Sequence, residues 1–199
     1  MIRLQRILPR LRGFLHGLRY SHSSKNSIIY NQILFRGKRI IVGERAIIFK
    51  SCRIECVDNY RGDTFRPEII IGNNVSIQQN CHITCAERID IGHNTAIAAG
   101  VTITDIDHPY EDISIPIEQQ PLSHNPVTIG PECKIYNHAV ILPGTTIGKH
   151  CVIGANSVVK GNIPDYSVAV GMPARIVKRY NFTSRKWEKT NPDGTFIDD

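Results

Sequence analysis

Aliphatic residues recur every six positions through the second half of the chain. From Ile129 they fall at Ile135, Ile141, Ile147, Ile153 and Val159 without a miss. Four residues after the first five stand Cys133, Ala139, Thr145, Cys151 and Ser157, all small. Glycine follows the aliphatic residue at Gly130, Gly148 and Gly154, and the same register opens earlier at Val42, Ile71 and Ile91. Neither a 3.6-residue helix nor a two-residue strand alternation requires a six-residue unit; a solenoid does. If each unit is a short flat strand plus a bend, three units close one triangular turn. The aliphatic residue then points inward onto its equivalent in the next rung, the small residue fits near the corner, and Gly or Asn tolerates the bend. The abundance of isoleucine agrees with an all-β chain.

Breaks in the period locate what leaves the coil. The step from Ile83 to Ile91 is eight, which predicts a bulge at a corner around Cys85–Asp90. Between Ile54 and Ile71 lies a charged, polar excursion, CVDNYRGDTFRPEII. The largest break separates Ile103 from Ile129 and predicts a loop over residues 104–127. Long connections on a rigid scaffold tend to carry function. Pro164, Gly171 and Pro173 mark the end of the coil. The expected organisation is a basic helical or capping segment over 1–39, the coil over 40–178, and a polar tail over 179–199. A helix within residues 1–20, broken near Pro9, is expected to lay its apolar side over the first open rung and block edge-to-edge stacking.

These repeats resemble those of the hexapeptide-repeat acyltransferases, over about residues 40–178. The resemblance implies a left-handed parallel β-helix, an exception to the right-handed crossover rule, and a homotrimer with active sites between subunits. It points to the branch of sugar and polysaccharide O-acetyltransferases.

Charge changes the picture at one end. Residues 1–50 hold 11 Lys and Arg against the single acid Glu44, while the remainder holds 13 against 17. No RNA- or DNA-reading motif accompanies the arginines, so nucleic acid is not the expected partner. A basic, partly amphipathic segment suits an anionic membrane surface or a neighbouring subunit. No apolar run is long enough to span a bilayer, and arginines interrupt the apolar part of the amino terminus where a signal peptide has a clean stretch. The expected location is cytoplasmic, with peripheral membrane contact through residues 1–39 left open.

Chemistry centres on ITDIDHPYED, residues 103–112. Acyl transfer from a thioester to a hydroxyl needs a base for the hydroxyl proton, and histidine titrates in the right range. His108 stands at the mouth of the largest excursion, with Asp105 and Asp107 as candidates to orient its ring. The stretch TDIDHP resembles the family's Thr-x-x-His-Pro-like segment with one additional residue, and the resemblance makes His108 the general base. It further implies acetyl-coenzyme A as donor and no metal. The family's acceptor-holding amide falls on Gln78, with Asn80 two residues on, facing the same way. GMPARI matches the family's coenzyme-contacting segment, which implies Gly171, Pro173 and Arg175, with Lys178 just after it as a further candidate. Lys160 joins Arg175 as a leading phosphate contact, and Pro143 and Gly144 mark a corner beside the expected thiol path.

The bland readings stand beside these. Gln78, Asn80 and Lys178 are also ordinary solvated solenoid positions, and Pro143 and Gly144 ordinary corner residues. Cys52, Cys81, Cys133 and Cys151 fall on the small-residue position, which explains them as packing without zinc or oxidation. His82, His93, His138 and His150 are expected outward or at corners, and His124 near the loop's return. The alternative functions are a zinc-dependent, carbonic-anhydrase-like hexapeptide protein, which needs histidines converging on a metal, and a structural solenoid, which is indifferent to His108→Ala.

Overall fold

The computed structural model describes residues 7–12, 14–15 and 26–197. The chain winds as a left-handed parallel β-helix of triangular section with three faces. The first face stacks Ile28–Ile29, Ile47–Ile48, Ser76–Ile77, Ala96–Ile97, Lys134–Ile135, Val152–Ile153 and Ser167–Gly171. The second stacks Leu34–Arg36, Arg53–Cys56, His82–Cys85, Thr102–Thr104, Val140–Ile141 and Val158–Val159. The third stacks Ile40–Val42, Glu68–Ile71, Arg88–Ile91, Val127–Ile129, Thr146–Ile147 and Asn162–Ile163.

Register follows the sequence period. Ile48, Ile77, Ile97, Ile135 and Ile153 align in one inward column, and Ile54, Ile83, Ile103, Ile141 and Val159 in the next. All are buried. Each column buries its apolar surface only against the rungs beside it, contributing about 1.5–3 kcal/mol per side chain. The small residues have a second task. Cys81 Sγ donates to the Ala98 carbonyl at 3.2 Å, Cys133 Sγ to Gly148 at 3.0 Å and Thr145 Oγ1 to Val159 at 3.2 Å. Each corner is thereby tied to a carbonyl of the next coil, and the Val159 carbonyl also accepts from the Leu142 amide at 3.0 Å.

Both ends differ from expectation. The coil starts at Ile28 rather than near residue 40, because Ile28–Ile29 and Leu34–Arg36 pair in parallel with the coil above. At the other end, Ala174–Asn181 folds back antiparallel on Ser167–Gly171, and Lys186–Lys189 pairs with it in turn. What reads as a polar tail after residue 178 is an edge hairpin. It is held by the cross-strand pair Tyr180–Trp187 at 5.7 Å and by Phe182 against Tyr166 and Tyr180, both at 5.1 Å.

The amino-terminal helix also departs from the cap expected of it. Residues 7–12 and 14–15 are helical straight through Pro9, which is buried. Ile7, Leu8, Leu11, Phe14 and Leu15 are instead exposed, from 42% for Phe14 to 57% for Ile7. Residues 1–6, 13, 16–25 and 198–199 lie outside the described set.

Candidate active site

The site is built where the Thr102–Thr104 strand ends. Asp105 follows it and is fully buried. Its carboxylate accepts backbone N–H bonds from Ala86 at 2.7 Å and from Glu87 and Arg88 at 2.8 Å, and the Cys85 thiol lies 3.2 Å away. The eight-residue step between Ile83 and Ile91 thus ends in a corner whose three amides point at one carboxylate. Beside that charge, burial pushes the Cys85 thiol's pKa upward and Asp105 adds to the shift.

From Asp105 the chain leaves the coil. Ile106–Asp107 pairs antiparallel with Ser123–His124, so the loop is a broad hairpin closed at its base. The Asn125 amide donates to the Asp105 carbonyl at 2.8 Å, and the Asn125 carbonyl accepts from the Gly144 amide at 3.0 Å. His108 begins beyond this base, half-buried, with its Nδ1 buried and without a hydrogen-bond partner among the described residues. Asp107 is exposed, and its Oδ1 accepts from the backbone N–H of His108 at 3.0 Å. The expected orienting acid is therefore corrected: no hydrogen bond joins the ring to Asp105 or Asp107. The first is consumed by three amides, and the second caps the histidine's own backbone.

An aromatic contact to the ring comes from the other excursion. Asn59–Tyr60 and Asp63–Thr64 form a short hairpin between the second and third faces. The Tyr60 ring meets the His108 ring edge-on at 5.7 Å and 79°, and the Phe65 ring meets His124 at 5.5 Å and 83°. His124 Nδ1 lies 2.9 Å from Glu87 Oε2. Tyr60, Phe65 and Glu87 were not legible as site residues. The only sign was two aromatics set in an otherwise polar insertion.

The remaining candidates divide between two edges of the coil. Pro143 and Gly144 turn from the second face to the third, as do Lys160 and Gly161 one coil on, below the base of the His108 loop. Gln78 and Asn80 lie where the first face turns to the second, Asn80 with φ 62°. Gly171 reaches that same edge, its amide donating to Ser157 Oγ at 3.0 Å, and it opens the tight turn that carries Pro173 and Arg175. Lys178 stands further back, in register with Val168 and Lys189. Within one chain, the width of the second face separates Gln78, Asn80 and Arg175 from His108.

His82 lies on the outward side of the second face, next to Arg53 in register. His93 is exposed at a corner, and His138 and His150 occupy left-handed corner positions at φ 58° and 54°. Among the described residues no cluster of three His, Cys, Asp or Glu is placed to hold a metal. The cysteines are all free and buried.

The coil agrees with what comparison with known proteins finds. Residues 126–161 match the family described as bacterial transferase hexapeptide (six repeats). The chain is 39% identical over 137 residues to the putative lipopolysaccharide biosynthesis O-acetyl transferase WbbJ of Escherichia coli, covering 65% of this chain and 70% of that one. It is 32% identical over 173 residues to the galactoside O-acetyltransferase of Escherichia coli, covering 86% and 79%. Among solved structures, the hexapeptide-repeat acetyltransferase of Vibrio cholerae in complex with acetyl-coenzyme A superposes with a TM-score of 0.56 at 25% identity over 70% of each chain. The chain belongs to the hexapeptide-repeat acetyltransferases.

Proposed function

We propose that this enzyme transfers the acetyl group of acetyl-coenzyme A to a hydroxyl of a sugar or polysaccharide precursor, with His108 as the general base. The observation that carries the residue assignment is the placement of His108. It stands just beyond the base of the largest excursion, on the edge that also presents Pro143, Gly144 and Lys160. Because Nδ1 is buried, Nε2 is the nitrogen left to exchange a proton. It takes the proton of the acceptor hydroxyl as that oxygen attacks the thioester carbonyl. The tetrahedral intermediate then expels the coenzyme's sulfur, which the imidazolium reprotonates. Lys160 and Arg175 supply cations for the coenzyme's phosphates, with Gly171, Pro173 and Lys178 on the hairpin beside its adenine end. Gln78 and Asn80 face the acceptor.

The two-edge arrangement supports a homotrimer in which the His108 edge of one subunit meets the Arg175 edge of the next. The test is thiol release from acetyl-coenzyme A across a panel of sugars, comparing the intact protein with His108→Gln. Sugar-dependent release that falls by about 10²–10⁴-fold supports the assignment. Unchanged release removes His108 from the role.

The amino-terminal helix favours a second reading, contact with an anionic membrane surface from the cytoplasmic side. At ~100° per residue, Ile7, Leu8, Leu11, Phe14 and Leu15 form one stripe, bordered by Arg10 and Arg12 and facing away from buried Pro9. Arg10 and Arg45 also line a recess at the first coil with Ile28 and Ile47. No helix among the described residues is long and apolar enough to cross a membrane. Sedimentation with vesicles containing phosphatidylglycerol, and its loss in Leu11→Glu, tests the contact. Equal sedimentation with neutral vesicles sinks the electrostatic part.

A further inference from the structure

We infer that Tyr60 is the positioning residue for His108, so that the excursion between the second and third faces aims the imidazole. The inference rests on His108 being the general base. It begins from an accounting of the acids. Asp105 is held by the amides of Ala86, Glu87 and Arg88, and Asp107 by the amide of His108. Glu111 Oε2 accepts from the Tyr110 amide at 2.9 Å, and Asp112 Oδ1 from the Ser114 amide at 2.9 Å. Each acid of the stretch has a partner, and none of them is the ring, whose buried Nδ1 has none. A catalytic imidazole free to rotate about its side-chain bonds would spend only part of its time aimed at the acceptor.

Tyr60 supplies the missing restraint. Its ring packs edge-on against the imidazole. Its hydroxyl donates to the Glu118 carbonyl at 2.8 Å, with Glu118 Oε2 at 3.3 Å. Glu118 belongs to the 3₁₀ turn Ile117–Gln119, on the far limb of the histidine's own loop. One side chain therefore spans from the Asn59–Tyr60 strand, past His108, to the opposite limb. Phe65 repeats the pattern on His124, at the base of the same loop. Two aromatic contacts from one short excursion thus brace both strands of the catalytic loop, and only Tyr60 touches the base.

The test uses histidine-labelled protein, with the His108 ring signal assigned through His108→Gln, beside the kinetics of thiol release from acetyl-coenzyme A. Tyr60→Leu removes the ring contact. It is expected to lower kcat by about tenfold, from the size of an aromatic pair, with KM for acetyl-coenzyme A within about twofold. The His108 ring signal is expected to broaden or split. Tyr60→Phe keeps the ring and loses only the bond to Glu118, and is expected to lower kcat by about threefold with a single, sharper signal. Both changes lie outside the coil, so its melting temperature serves as the control. An unchanged His108 signal with unchanged kcat in Tyr60→Leu overturns the inference, as does a change confined to KM. If Tyr60→Leu fails to fold, an unchanged signal and kcat in Tyr60→Phe overturns it. Full activity in His108→Gln overturns the base assignment instead, and the ring signal still decides whether Tyr60 holds it.

Discussion

At Asp105 one side chain decides whether the loop has a foundation. It accepts three backbone amides of the preceding coil while its own carbonyl accepts the amide of Asn125 at the loop's return. Asp105→Ala leaves three amides at a buried corner without an acceptor, and charge-assisted bonds of this kind are individually strong. The expected cost is about 2–4 kcal/mol, read as a lower urea midpoint with an unchanged slope. Asp107→Ala, which removes one exposed acceptor, should stay within about 0.5 kcal/mol. Equal effects from the two would contradict this division of labour. The cysteines give a second prediction at this scale. All six are buried and free, and burial together with nearby Asp58 pushes the Cys56 thiol's pKa up to about 12. At pH 8 Cys56 is therefore protonated as well as shielded, and the other five are shielded by burial. A thiol reagent should label none of the six in the folded protein and all six in denaturant. Rapid labelling of the native protein would contradict the packing.

At the scale of the elements, the coil was legible because a solenoid writes its contacts into sequence period. Ile103 could be named the last inward residue before the loop since its spacing to Ile97 and Ile91 has only one structural meaning. The glycines that follow the aliphatic residues also turn out to be spacing. A Cβ on Gly92 would lie 2.4 Å from Pro131 N and 2.5 Å from the Gly130 carbonyl carbon, both backbone atoms of the next coil. Gly92→Ala must push two rungs apart and should cost about 1–3 kcal/mol, measured by chemical denaturation. A neutral change would show that the corner yields. The ends of the coil and the site's supports were harder to read. Ile29 and Phe35 stand six apart in the inward columns, but the next inward residue, Val42, follows after seven, and the Lys186–Lys189 strand is so polar that only the Tyr180–Trp187 pair betrays it. The position of His108 just past the last inward residue of its strand was legible from the period. Tyr60 was not, because the contact joins two excursions 48 positions apart, and no local pattern records which loops meet in space.

For the whole molecule, the triangular section places the proposed site residues on two separate edges. His108, Pro143, Gly144 and Lys160 belong to one edge, and Gln78, Asn80 and Arg175 to another, with the second face between them. A closed ring of subunits related by rotation brings the first edge of each chain to the second edge of its neighbour at every contact. This arrangement makes a prediction that a self-contained site cannot meet. His108→Gln disables one edge, and Arg175→Glu, by placing a carboxylate against the coenzyme's phosphates, disables the other. Each variant alone should be close to inactive at low acetyl-coenzyme A. Unfolded together in equal amounts and refolded, they assort at random. A contact is then competent when its His108 comes from the Arg175 variant and its Arg175 from the His108 variant. About a quarter of contacts meet that condition, so about a quarter of the intact activity should return. If the mixture recovers nothing while the intact protein refolds to full activity under the same conditions, each chain carries its own complete site, and the two edges must be reached by the coenzyme across the second face instead.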